Sequence, residues 1–254
     1  MSIVISSDLP SRNGRVPAAT VLRRPMLATI ALTLLLTFAH ANVTTGDRLV
    51  DQGDFAGAVA AYEAVLAQDP DDPVAHYRLA RAAVYQADDL PEGQDEAKEA
   101  LFDLARTHAE RAVKLAPDDA EAHFELARAL GRLAQYRGVL QSLNLASRVA
   151  SSLDRALELD PQHAGAWHAR ALFHDEVPWI AGGRKGLVLP SFERAIAAEP
   201  DVIVHRVELA RVLIGREDFA AAREQLDMAL SLTPRTYHDR QDMEKARALL
   251  AQLP

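Results

Sequence analysis

Proline cannot continue a helix, because it lacks an N–H and its ring clashes with the preceding turn. Yet in this chain Pro70, Pro117, Pro161, Pro200 and Pro234 each stand between two runs of good helix formers. The surrounding text recurs: "EAVLAQDPDDPVAHYRLARA", "ERAVKLAPDDAEAHFELARA", "RALELDPQHAGAWHARA" and "ERAIAAEPDVIVHRVELARV", with a partial copy, "DMALSLTPRTYHDR". Before each proline the same apolar triplet returns at helical spacing: Ala58/Tyr62/Val65, Ala105/Ala109/Ala112, Val149/Leu153/Ala156, Val188/Phe192/Ala195 and Ala222/Leu226/Ala229. Steps of four and three place each triplet on one helix face. After each proline a second amphipathic run begins. A proline therefore ends one helix, and an acidic pair such as Asp71-Asp72 or Asp118-Asp119 caps the next. The chain then turns back. A helical hairpin of this size cannot bury its apolar face alone, so consecutive units must stack. With alternating strand patterns almost absent, the expected fold is all-α: five hairpins and one terminal helix.

The intervals between the prolines are 47, 44, 39 and 34 residues. The longest includes "ADDLPEGQDE", which reads as a polar loop. From Gly131 to Leu159 there is no proline, and Val139, Leu143, Ala146, Val149 and Leu153 keep helical spacing, which predicts an elongated helix. "VPWIAGGRKG" reads as a loop in which Gly182-Gly183 allows unusual dihedrals. "YHDRQDMEKARALLAQL" is amphipathic and is expected to cap the open end of the stack.

These residues resemble the tetratricopeptide repeat (TPR), whose pattern is W-x2-L-G-x2-Y, A-x3-F and Pro over 34 residues. The first unit shows Gly46, Leu49, Ala58, Tyr62 and Pro70, and a later one Trp167, Phe192 and Pro200. His76 and His123 stand at the Trp position of their units. The resemblance runs from about Gly46 to the C-terminus and implies a right-handed superhelical stack, an α-solenoid. Irregular exported bacterial TPR proteins are most similar. A fainter similarity, to the periplasmic T component of TRAP transporters, rests on "GGRKGLVLPSFERAI".

The N-terminus is of another kind. Arg12, Arg15, Arg23 and Arg24 precede the apolar run Met26–Phe38 and the small-residue site Ala39–Ala41. That order describes a secretory signal peptide, and 13 residues fall short of the roughly 20 needed to span a bilayer. The expected division is a signal peptide over 1–41, cleaved after Ala41, and a repeat domain over 42–254. General secretion to the periplasm or beyond follows, without stable membrane insertion afterwards. The absence of cysteine excludes disulfides, thiolate metal sites and a lipidated N-terminal Cys. Without 1–41 the chain keeps 24 basic and 35 acidic residues, a surface that disfavours nucleic acid.

Enzyme signatures are missing: G-x-S-x-G, a Walker loop, H-E-x-x-H and the Rossmann glycines do not occur. "GGRKG" reads as a turn rather than a phosphate cradle. His163, His168 and His174 lie close in sequence, but the i, i+5 spacing puts the first two on different helix faces, so no metal or cofactor is assigned. Recognition is the better candidate. The resemblance implies a concave, peptide-binding groove whose ninth site is Arg81, Arg128, Leu172 or Arg211 and whose fifth is Tyr77, Phe124, His168 or Val207. Guanidinium takes a carboxylate in two-pronged fashion, and Tyr77 and Phe124 stand one turn from Arg81 and Arg128. Arg81, Arg128, Arg211, Tyr77 and Phe124 are therefore the candidate partner site. The competing reading is that the arginines pair with glutamates such as Glu125 or Glu208. If the site is external, Arg128→Ala should weaken binding by about 2–5 kcal/mol and leave the stack intact. The sequence thus points to a non-enzymatic scaffold for a protein or peptide partner. The alternative is a transport accessory that binds or presents a small anionic solute.

Overall fold

The computed structural model describes residues 43–137 and 139–254, and for 139–141 only the backbone. The expected signal peptide and its cleavage site lie outside the described residues. These form eleven α-helices and no strand: α1 (43–52), α2 (Phe55–Leu66), α3 (Pro73–Asp89), α4 (Asp95–Leu115), α5 (Ala120–Ala134), α6 (Val139–Leu159), α7 (Ala164–Glu176), α8 (Val188–Ala198), α9 (Ile203–Gly215), α10 (Phe219–Ser231) and α11 (Tyr237–Gln252). The fold is the TPR solenoid.

The five proline turns separate α2 from α3, α4 from α5, α6 from α7, α8 from α9 and α10 from α11. Packing is most extensive within α3–α4, α5–α6, α7–α8 and α9–α10. The prolines therefore join successive pairs, and each pair is closed by the loop at its opposite end. All fifteen triplet residues that precede the prolines are buried. Their small side chains let neighbouring helices approach closely, and α11 follows the last pair, packing on α10 and α9.

The acidic pairs divide their work. Asp72 accepts the N–H groups of Val74 and Ala75 at 2.9 and 3.0 Å, and Asp119 those of Glu121 and Ala122 at 2.8 and 3.3 Å. Each satisfies free donors at the start of a helix. Asp71 and Asp118, one residue earlier, instead accept Arg111 and Arg155 from the following second helix. At the third turn that position is Gln162, and the corresponding arginine, Arg194, stacks over the Trp167 ring at 4.4 Å.

His76 and His123 keep a function of the tryptophan they replace. Trp167 Nε1 donates to the Pro161 carbonyl at 2.9 Å. His76 and His123 donate from Nε2 to the Pro70 and Pro117 carbonyls at 3.0 and 2.9 Å. A carbonyl only accepts, so the proton on Nε2 is settled in both histidines. An aromatic N–H, rather than the indole as such, ties each first helix to its proline turn.

The long α6, at 21 residues, takes up Val139–Leu159 of the proline-free stretch, whose first residues end α5 at Ala134. The polar segment 87–96 differs from expectation, because only Leu90–Gln94 leaves the helical path. The extra residues lengthen α3 to 17 and α4 to 21. Asp95 and Glu96 favour this by placing carboxylates at the positive end of α4. The segment 177–187 is a loop with two short 3-10 turns, Trp179–Ala181 and Lys185–Leu187. Gly182 holds φ +100, and a Cβ at Gly183 would collide with the Val177 carbonyl, so both glycines are needed there.

Candidate functional site

The first helices of successive pairs form an inner row, with α3 against α5 and α5 against α7. This row positions the candidate residues. Its centre is Glu125, whose side chain is fully buried. Arg81 donates to it from Nε at 2.6 Å and also reaches Glu121. Arg128 donates to Glu125 from Nε at 2.9 Å and from Nη2 at 2.5 Å. Its remaining Nη1 meets the Tyr85 hydroxyl at 3.0 Å, and its guanidinium lies 4.8 Å from the Tyr85 ring centre and 5.4 Å from that of Phe124. One buried carboxylate is thus held by two arginines with aromatic faces against the second.

The charges explain each other. Burial opposes the charged form of Arg81 and Arg128, but Glu125 overcomes it and raises both pKa values, with Glu121 adding to the effect at Arg81. Burial likewise opposes the Glu121 carboxylate. The hydrogen bond from His163 and the Arg81 charge outweigh that and bring its pKa down to about 2. His163 Nδ1 accepts the Ala166 N–H at 3.1 Å and so caps α7, while its Nε2 lies 3.1 Å from Glu121. The Phe124 ring centre is 4.9 Å from that of His163, and a Cβ at Gly165 would come within 2.8 Å of Phe124. Glycine is what lets the first turn of α7 close on this ring.

Arg81 and Arg128, with Phe124, are brought together as the spacing predicts, and Tyr77 lies on the same helix as Arg81, one turn earlier. Tyr77 is half-buried, and burial raises its pKa. Arg211 stands apart, bonded to Glu208 at 2.7 Å with Asp175 3.7 Å away. The pairing with Glu125 and Glu208 is therefore present. The expectation that Arg128 serves only the surface does not hold, since it neutralises a carboxylate that is wholly inside. Truncating it would leave that charge with a single partner.

Sequence reasoning missed Glu121, Tyr85 and His163. One signal was available. Glu125/Arg128 and Glu208/Arg211 repeat an E-x-x-R pattern, whereas Arg78 occupies the glutamate position before Arg81. Arg78 turns to Asp47 on α1, so Arg81 takes its carboxylates from the next pair. A lone arginine at that register asks for an acid elsewhere.

The remaining histidines do not converge on a metal. His168 Nδ1 faces His205 Nδ1 at 3.0 Å, His76 Nδ1 faces His108 Nδ1 at 2.9 Å, and His174 is buried near the 177–187 loop. Among the described residues no group of three or more His, Cys, Asp or Glu side chains is placed to hold an ion.

The model of the family "Regulator of microtubule dynamics protein 1-3" matches residues 43–180, which contain α1 to α7 and the whole arginine–glutamate centre. The chain belongs to this family. The match ends at the tip of the 177–187 loop, so α8 to α11 lie outside it. A search of curated proteins finds no match. Among solved structures, a thermophilic TPR protein of Thermus thermophilus superposes with a TM-score of 0.66 at 22% identity, covering 84% of this chain and 99% of that one. PilF of Pseudomonas aeruginosa does so with a TM-score of 0.51 at 15% identity, covering 85% and 90%. At these identities the likeness is one of fold. The chain has the helical-repeat fold of these proteins.

Proposed function

We propose that this protein is a non-catalytic scaffold that binds a segment of a protein partner on the inner row of its solenoid, after export and cleavage behind Ala41. The observation that carries the reading is the platform of Arg81, Arg128, Tyr77, Tyr85 and Phe124. The guanidinium groups are held in fixed places by Glu125 and Glu121, yet Arg81 and Glu121 remain about one-third exposed. Rigid aromatic and arginine side chains are the residue types that anchor protein interfaces. Because the arginines are already matched by carboxylates, little unbalanced positive charge is left for a small anion, and the solute-binding alternative loses its support. The acidic surface disfavours nucleic acid.

A photo-crosslinking amino acid at Tyr77, on the inner row, tests this against the same residue at Glu193, exposed on the second helix α8. In the producing cell Tyr77 should yield a discrete adduct that Glu193 does not. Equal labelling at both positions, or none at Tyr77, would overturn the reading. N-terminal sequencing of the same material should begin at Asn42.

A further inference from the structure

The inner-row site is partly filled by the chain itself. Phe55, at the start of α2, is only 3% exposed, yet it belongs to neither of the two apolar core clusters. Its cover comes from α3 and from the far end of the chain. The Tyr85 ring lies 5.5 Å away, Tyr237 meets Phe55 edge-on at 5.6 Å, and His238 stacks on it at 5.1 Å with 15° between planes. His238 is also 4.2 Å from Tyr85, the ring that receives Arg128. The Tyr237 hydroxyl meets Asp89 at 3.1 Å. Gly53, with φ +86, lies so close that a Cβ would come within 2.6 Å of the Tyr237 ring. Together Gly53, Phe55, Tyr85 and Asp89 form a socket for two rings, continuous with the arginine–glutamate centre.

The occupant is preshaped and not tightly fastened. Thr236 and Asp239 form a reciprocal capping box, so Tyr237 and His238 are presented on the first turn of an established helix. α11 is anchored elsewhere, through Met243 and Ala246 in the second core cluster. The first turn can therefore leave the socket without unmaking that core. The fit also leaves His238 Nε2 buried with no hydrogen-bond partner among the described residues. An unpaired buried polar atom weakens a contact, so a ligand that satisfies it has an advantage.

We propose that the Tyr237–His238 turn is a built-in occupant of the inner-row site. The external partner is then a helical segment that opens on the same chemistry, a tyrosine-like ring beside a second flat ring, and binds by displacing this turn. The proposal rests on the groove-binding reading above and names the partner class. A tethered competitor lowers the apparent affinity for an external ligand by the fraction of molecules in which the socket is open.

The test uses the full chain and a fluorescein-labelled synthetic peptide with the sequence of residues 234–246. Tyr237→Ala/His238→Ala should bind it at least ten-fold tighter than the unaltered protein, and adding Phe55→Ala should remove that gain. Circular dichroism establishes that each variant is folded. Should the double variant not fold, Tyr237→Phe, which loses the hydroxyl and its bonds with Asp89 and Gln241, should still raise affinity about two- to three-fold. Equal binding by variant and unaltered chain, or a gain that survives Phe55→Ala, overturns the proposal. The Tyr77 crosslink separates the two readings. Capture that is the same with and without the double variant leaves the groove reading standing and removes the competitor. Peptide binding without any cellular capture does the reverse.

Discussion

The two halves of the solenoid bury different things on their inner rows. From α1 to α7 the row is charged, with Glu125 enclosed between Arg81 and Arg128 and with Asp72 and Asp119 capping the helices. From α7 to α11 the row instead holds Leu172, Val207 and the His168–His205 pair, and α9, with Val202 at its N-cap, has no side-chain cap. Arg211 is 43% exposed and pairs with the partly buried Glu208 and Asp175. The repeat is the same, but one half is held in register by a buried ionic centre and the other by apolar contact. A buried carboxylate must be matched in direction as well as in distance, so it specifies how α3 sits on α5. Apolar contact is more tolerant of sliding.

The comparison breaks most readily at the equivalent arginines. Arg128→Ala should destabilise the fold by about 3–5 kcal/mol, since it leaves an inside carboxylate short of a partner. Arg211→Ala should change stability by about 0–1 kcal/mol, as expected of an exposed pair. Denaturant unfolding of the two variants side by side decides this. Equal losses would show that the halves do not differ in the way the geometry indicates.

Acid should find the apolar half first. Burial lowers the pKa of His168 to about 4, and burial together with the His168 charge lowers that of His205 to about 3. The unfolded chain, with ordinary imidazoles, binds more protons than the folded one below about pH 6.5. The stability these residues contribute is thus complete above that pH and is lost as pH falls toward 4 and below. His108, brought down to about 4 chiefly by burial, adds the same sign in the first half. Glu121, with a pKa lowered from 4.5 to about 2, contributes fully above the ordinary carboxylate pKa and loses that contribution as pH falls from there toward 2. Melting temperature followed from pH 7.5 to 3.5 should fall from about 6.5 downward, and His168→Phe/His205→Leu should flatten the slope. A profile unchanged by the double variant would remove the histidine pair from the account.

The smallest effect concerns caps. Asp119→Ala should cost about 1 kcal/mol, whereas Val202→Asp, at the uncapped start of α9, should gain a similar amount. Thermal melts of the two variants measure whether the halves differ in local helix-end chemistry as well as in their inner rows.

Much of the fold was readable because its causes are local. The triplets before each proline and the aspartates after it act over three or four residues, and their positions follow from helix periodicity. The reading of 87–96 as loop failed for a local reason too: Pro91 and Gly93 interrupt the helix over a few residues only, and the acidic residues around them extend the flanking helices. The candidate site was half legible. Arg81 and Arg128 fall at equivalent registers, and Phe124 stands one turn before Arg128, so stacking was bound to bring them near each other. That Arg128 belongs to the interior depended on the direction of Glu125, which no periodicity reports.

The sequence by itself determined the unit, its turns and the number of units, because each follows from backbone geometry repeated every few residues. Only the tertiary structure decided which carboxylate each arginine takes. Arg78 and Arg81 are three residues apart and chemically alike, yet one turns back to Asp47 and the other forward to Glu125. Only the tertiary structure could bring Tyr237 to Asp89, 148 residues away. A small rotation between successive pairs, summed over the stack, determines where the last helix arrives, and that rotation depends on side-chain volumes at every interface together.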